Sequence, residues 1–255
     1  MSTVVPIRPG KTPPPQQVCI MVGSSAGGAS STTTALGLAT AITTPKFPVV
    51  VADATTDGGN LFERAAAHTL DNPITAGLPV SSAATTSNAT VCGPTSDRSD
   101  LTLIDSIFAS RGAARIYDVG TALDAPRVAS LRGQAVLVLT AIARAEPLTR
   151  LRGRLEHIRA AHGATALART VVVISHTIPA GTVDLTAVRS GLSPVLAALV
   201  EVPFDNALAA PGLFDHRRVA PATTAAWSTA ASAALALSLA AADLETDQQR
   251  KREQA

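Results

Sequence analysis

The stretch Val18-Cys19-Ile20-Met21-Val22-Gly23-Ser24-Ser25-Ala26-Gly27-Gly28-Ala29-Ser30-Ser31-Thr32-Thr33-Thr34-Ala35-Leu36 decides the fold. An apolar run, a loop of small residues and a helical stretch over 35–42 follow one another, and that order presents backbone N–H groups to an anion at a helix N-terminus. A phosphate loop of this design reads G-x-x-x-x-G-K-[ST], its lysine reaching the outer phosphates and its hydroxyl holding magnesium. Here the lysine is missing in every register. With Gly23 and Gly28 as the two glycines, Ala29 takes its place; aligned instead on the start of the helix, Ser31 does. The chain has three lysines, Lys11, Lys46 and Lys251, all outside the loop.

Outward from the loop, the chain reads as an alternation of strands and helices. Pro45 and Pro48 bracket a break before Val49-Val50-Val51-Ala52-Asp53, an apolar run of the kind that forms a parallel strand buried on both faces. Helical patterns are expected over 61–70, 100–110, 147–161 and 184–199, and strands over 90–92, 114–120, 135–140, 170–175 and 199–202. Residues 71–88 read as a low-complexity loop of Ser, Thr, Pro and Ala. The fold class is therefore α/β, a mostly parallel twisted sheet with helices on both faces. At 255 residues the chain has room for one sizeable α/β domain, expected over 18–242 between a proline-rich tail at 1–17 and a charged, solvated tail at 243–255.

Composition leaves several partner classes without support. A net charge of +2 gives no polyanion-binding signature, so nucleic acid has no strong signal. Cys19 and Cys92 sit in apolar strands as small hydrophobes, which favours a cytoplasmic setting. Residues 223–242 carry no charge over the length a bilayer helix needs, but alanine dominates them; a buried terminal helix is expected, not a stable membrane span. His68, His157, His162, His176 and His216 show no metal-ligand spacing, and no nucleophile elbow appears.

Two acids extend the site. Ligands of open parallel sheets bind beyond the carboxyl ends of the strands, and Asp53 and Asp118 both stand at such ends beside the glycine-rich loop. Asp118 belongs to Ala114-Arg115-Ile116-Tyr117-Asp118-Val119-Gly120.

Together with Val50-Val51-Ala52-Asp53-Ala54-Thr55-Thr56-Asp57-Gly58-Gly59-Asn60-Leu61 and Val202-Pro203-Phe204-Asp205, these segments resemble the ParA/MinD group of P-loop ATPases over residues 18–240. That group's loop is K-G-G-x-G-K-[ST]-T, one lysine reaching across a dimer and the other binding phosphates. By the resemblance, Gly27 and Gly28 match; Ala26 replaces the first lysine, Ser30 the third glycine and Ser31 the second lysine. Thr32 matches the magnesium hydroxyl, Asp53 the acid that positions the attacking water, Asp118 the acid that supports magnesium, and Gly120 the switch glycine. Thr55 departs from an acid. The resemblance implies anion contacts at Gly27, Gly28, Ala29, Ser30, Ser31, Thr32 and Thr33, and base contacts at Ser175, Pro203 and Phe204; His176 stands where a basic residue is common.

Losing both lysines removes the main cationic stabilisers of phosphoryl transfer, so the departures weigh against catalysis. An arginine supplied in trans by a partner could substitute, with Arg64, Arg98 and Arg115 the candidates nearest in sequence, and Arg64 is expected to be a solvated helix charge. What the resemblance implies is a homodimeric cytoplasmic pseudo-ATPase, binding ATP or ADP with Mg2+ weakly or not at all. Its partners would be the protein components of a partition, polar-positioning or secretion and conjugation machine. The alternative is a slow ATPase using another cation. The Ala- and Arg-rich, Lys-poor composition points to a GC-rich, actinobacterial genome.

Overall fold

Each continuous apolar run forms a strand with helices packed over both of its faces, because neither face of such a strand can be left in water. The computed structural model describes residues 12–56, 60–69, 74–78, 80–93, 101–129, 131, 133, 135–179, 184–210 and 212–253. In chain order the elements are β1 (Cys19–Ser24), α1 (Ser31–Ile42), β2 (Val49–Asp53), α2 (Leu61–Ala65), β3 (His68–Thr69), β4 (Ser82–Ala84), β5 (Thr90–Cys92), α3 (Leu101–Ser110), β6 (Ala114–Gly120), α4 (Pro126–Ala129), β7 (Val136–Ile142), α5 (Ala145–His162), α6 (Ala164–Leu167), β8 (Thr170–Ser175), α7 (Thr186–Leu192), β9 (Ala198–Val202), α8 (Asn206–Ala209) and α9 (Pro221–Glu253).

The strands make one nine-stranded sheet in the order β3-β4-β5-β2-β6-β1-β7-β8-β9. From β5 to β9 every neighbouring pair is parallel; the pairs β3–β4 and β4–β5, at one edge, are antiparallel. The expected mostly parallel α/β architecture is the observed one. The edge hairpin corrects the low-complexity loop expected over 71–88, since β4 lies inside it.

Side-chain alternation divides the core in two. Val18, Ile20, Val22, Val49 and Val51 point to the face covered by α1 and α9; Cys19, Met21, Val50 and Ala52 point to the face covered by α3 and α5. α1 and α9 cross closely at Gly37, where a Cβ would fall within 2.1 Å of the Trp227 ring. Trp227 also packs on Phe214 with ring centroids 5.9 Å apart. Residues 221–241 of α9 are long and apolar enough to cross a membrane by length and composition, and here they supply Ala230, Ala231, Ala234 and Leu237 to the core.

Several segments differ from their sequence expectations. α2 stops at Ala65, and α7 ends at Leu192, well short of 199. α9 runs on through the charged stretch to Glu253, because nothing after Pro221 is a glycine or proline to stop it. Of the expected tail at 1–17, residues 1–11 lie outside the described residues, while Pro15–Gln17 form a 3-10 turn. Both cysteines are buried and free. Burial pushes the Cys92 thiol up to about 12 and Cys19 higher still.

Candidate functional site

Parity along the strands aims the site. Asp53 is two residues beyond Val51 and Asp118 two beyond Ile116, so both carboxylates belong to the face that α1 covers. The two are direct neighbours across the β2–β6 ladder, and both are buried. The parallel strands thus deliver the acids to the N-terminus of the helix that follows the glycine-rich loop.

The loop leaves several backbone amides open. Ser25 N–H donates to Thr140 O at 3.1 Å, which fixes its entry, and Ala29 N–H donates back to Ala26 O at 3.3 Å. Among the described residues, the amides of Gly27, Gly28, Ser31, Thr32 and Thr33 have no backbone acceptor. A Cβ at Gly27 or Gly28 would meet nothing within 4 Å, so the space above the loop is open. Gly28 has φ of 72° and Ser30 has φ of 65°, both left-handed. Glycine adopts that conformation readily, whereas at Ser30 it carries a strain of about 1 kcal/mol.

Below the loop, Thr32 Oγ1 donates to Asp118 Oδ2 at 2.5 Å, and Gly120 N–H donates to Asp118 Oδ1 at 3.2 Å. Burial pushes the Asp118 carboxyl up to about 6, opposed by the hydrogen bond from Thr32; the neighbouring Asp53 charge adds to the rise, and bonds from Ser31 and Gly120 oppose it. Asp53 Oδ1 accepts from Thr55 N–H at 3.0 Å and Thr55 Oγ1 at 2.7 Å. Thr55, standing where the resemblance expects an acid, therefore holds Asp53 in a local turn. Its methyl also lies against Gly120, where a Cβ would come within 3.2 Å. Asp57, Gly58 and Gly59 lie outside the described residues.

A cavity of about 370 Å³ opens over the loop, lined by Gly27 to Thr33, Ser24, Thr55, Asn60, Arg64, Gly120, Thr121 and Leu208. Arg64 corrects its expectation. It is a half-buried wall of this cavity instead of a solvated helix charge. Arg115 is corrected too: it is locked into an ion pair with Asp105 near the start of β6, away from the loop. Arg98 lies outside the described residues. Lys46 is in the turn entering β2, at the far end of that strand from Asp53.

The residues implied for base contact converge as well. Ser175, Pro203 and Phe204 line a second cavity with Ser30, Thr34, Leu208 and Trp227, but its volume is only about 90 Å³. His176 lines it too, and its Nε2 lies 2.6 Å from Glu201 Oε1; Glu201 is also paired with Arg189. The buried Thr34 Oγ1 has no hydrogen-bond partner among the described residues.

Magnesium takes hard oxygen ligands, usually one or two carboxylates with phosphates and water, and Thr32 with Asp118 is a set of that kind. No cluster of three or more His, Cys, Asp or Glu suited to a metal occurs among the described residues. The open loop amides and the paired hydroxyl and carboxylate fit a magnesium-phosphate ligand on the anion and metal sides.

No protein-family model matches the chain, and no curated protein matches it in sequence. Solved structures do match its fold. A ParA family ATPase from Chlorobium tepidum TLS aligns over 89% of this chain and 97% of its own, with 13% identity and a TM-score of 0.57. A chain of the MinC:MinD cell division protein complex of Aquifex aeolicus aligns over 90% and 96%, with 12% identity and a TM-score of 0.53. A chain described as a plasmid partition protein, from Borrelia burgdorferi B31 and bound to AMPPNP, aligns over 85% and 98%, with 10% identity and a TM-score of 0.52. The chain has the ParA/MinD fold. At these identities the likeness speaks for the fold alone, and function rests on the site. The glycine-rich loop of this chain carries no lysine or arginine, and Arg64 from α2 lines the space above it.

Proposed function

We propose that this chain is a pseudo-ATPase of the ParA/MinD type, a cytoplasmic scaffold or regulator in partition, polar positioning, or a secretion or conjugation apparatus, with weak or absent nucleotide hydrolysis. The observation that carries the reading is the loop: Ala26 and Ser31 stand at the two lysine positions, while the amides, Thr32 and Asp118 remain arranged around an open cavity. Catalysis of phosphoryl transfer is positioning and charge neutralisation, and removal of one such electrostatic contact lowers rates by about 10²–10³-fold in the systems where it has been measured. In this reading the loop amides hold phosphates, Thr32 and Asp118 hold magnesium, and Asp53 is the acid that would orient water if any turnover remains. Bound magnesium would supply charge neutralisation between the phosphate oxygens. Self-association into a homodimer and docking to protein components of the larger machine complete the proposal.

Calorimetric titration with ATP and ADP plus magnesium, beside a phosphate-release assay, tests it. Binding no tighter than the high micromolar range with negligible phosphate release is expected. Rapid turnover abolished by Asp53→Ala would overturn it. The second reading, a slow ATPase, is favoured by one observation, the Arg64 side chain on the cavity wall. It expects slow release that Asp53→Ala removes.

A further inference from the structure

We propose that Arg64 supplies, from within the same chain, the cation that the loop has lost, and that the ligand it meets is a polyphosphate chain. The inference rests on the phosphate-binding reading of the crevice and adds to it a residue, a direction of approach and a ligand class.

Among the described residues, Arg64 is the one arginine or lysine lining the loop cavity. It is half-buried, and among the described residues its side chain makes no hydrogen bond and no ion pair; its Nε is buried without a partner. Of the other arginines with comparable or deeper burial, Arg115 has Asp105 and Arg154 has Asp124, whereas Arg169, on the far side of the sheet from the loop cavity lining, has no acid among the described residues. A guanidinium taken partly out of water is unfavourable unless an anion or acceptor meets it. The same cavity is lined by loop residues whose amides have no backbone acceptor among the described residues, which suits an anion.

The position of Arg64 is fixed by distant parts of the chain. Its backbone carbonyl accepts from Phe214 N–H at 2.7 Å, and its N–H donates to Asn60 O at 2.9 Å. Phe214 is buried against Trp227, so α2 is fastened to the α1–α9 core layer. The side chain therefore lines the cavity from α2, an element separate from the glycine-rich loop. Guanidinium presents a planar fork that binds phosphate oxygens bidentately, so one arginine can meet two oxygens.

A cavity of about 370 Å³ lies within the range of small-ligand pockets, and the adjoining slot of about 90 Å³ lies well below it. The larger space is the one the cation and amides share. The shared chemistry is thus the phosphate chain, whether carried by a nucleotide or by inorganic tripolyphosphate.

The test is calorimetry of the full chain, wild type and Arg64→Gln, against Mg-ATP, Mg-GTP and magnesium tripolyphosphate. A loss of tenfold or more in affinity for whichever anion the wild type binds is expected, with Arg64→Lys falling between. The three arms tell a nucleotide source from an inorganic one. If Arg64→Gln does not fold, the wild type answers by NMR: the arginine Nε–H resonance absent from Arg64→Lys should shift on titration with the same anions. Unchanged affinity in Arg64→Gln, an unmoved Arg64 resonance, or no binding of any arm at millimolar concentration by the wild type would overturn the assignment. That last outcome leaves the scaffold reading standing. Rapid hydrolysis dependent on Arg64 would overturn the pseudo-ATPase reading and keep Arg64.

Discussion

Asp105→Ala should bring the chain close to unfolding, and the magnitude follows from what Asp105 holds. Its Oδ1 accepts from Arg115 Nε at 2.9 Å and from the Tyr117 hydroxyl at 3.0 Å, and its Oδ2 accepts from Arg115 Nη2 at 3.2 Å. Both charged side chains are only 6% exposed. Removing the carboxylate leaves a buried guanidinium whose remaining protein acceptor is Gln16 O, and a buried phenol without one. Breaking a buried pair costs about 3–5 kcal/mol, and a stranded hydroxyl about 1–3 more. Whole-domain stability is about 5–15 kcal/mol, so the single substitution removes a large part of it. Replacing the whole polar cluster by apolar groups, as Asp105→Leu, Arg115→Met and Tyr117→Phe together, should recover most of the loss, because no charge is then stranded. Urea unfolding followed by circular dichroism measures both, provided the slope stays constant between variants. A loss below about 1 kcal/mol in the single variant, or a triple variant no more stable than it, would refute the reasoning. The same triple variant should bind phosphate ligands as the wild type does, since Arg115 stands apart from the crevice.

Three other outcomes are expected. Asp118 has its folded-state value raised from 3.8 to about 6, so the stability it contributes is fully present below pH 3.8 and lost as pH rises through about 6. In EDTA, wild type should lose up to about 3 kcal/mol relative to Asp118→Asn across that window, and parallel stability profiles for the two proteins would contradict it. Ser30→Gly should raise the unfolding free energy by about 0.5–1 kcal/mol by relieving a left-handed serine, measured by thermal melting; a lowered midpoint would show the φ is not a strain. Ser31→Lys puts an ammonium back at the start of α1 and should tighten Mg-ATP binding about tenfold, about 1.4 kcal/mol; calorimetry showing no gain would mean the loop no longer directs that position at phosphate.

The parts of this molecule that could be read from its sequence are those whose cause is local. Val49–Asp53 and Thr170–Ser175 are continuous apolar runs, and burial on both faces leaves them little choice but parallel strands. The strands β3 and β4 could not be read this way. They are His-Thr and Ser-Ala-Ala, too short and too polar to show a period, and β4 is ordered by pairing with β5. α9 shows the converse failure: a change from apolar to charged residues reads as the end of a helix, yet Asp, Glu, Gln, Lys and Arg continue one when no breaker intervenes.

The site divides along the same line. The loop, Thr32, Asp53 and Asp118 are legible because the strand-loop-helix order and the strand-end positions bring them together within three neighbouring strands. Ser175, Pro203 and Phe204 do gather, but the closeness of their slot depends on Leu208 and Trp227, which no local pattern ties to them. Arg64 was the hardest to place. The five-residue α2 shows no period that places Arg64, and what fastens that helix is a backbone bond from far along the chain, Phe214 N–H donating to the Arg64 carbonyl. An anion site can therefore keep its amides, which are bound to the strand-loop-helix backbone, while its cation moves to another element. A motif that records only the lysine would then read such a site as lost, when the charge that decides binding has changed address.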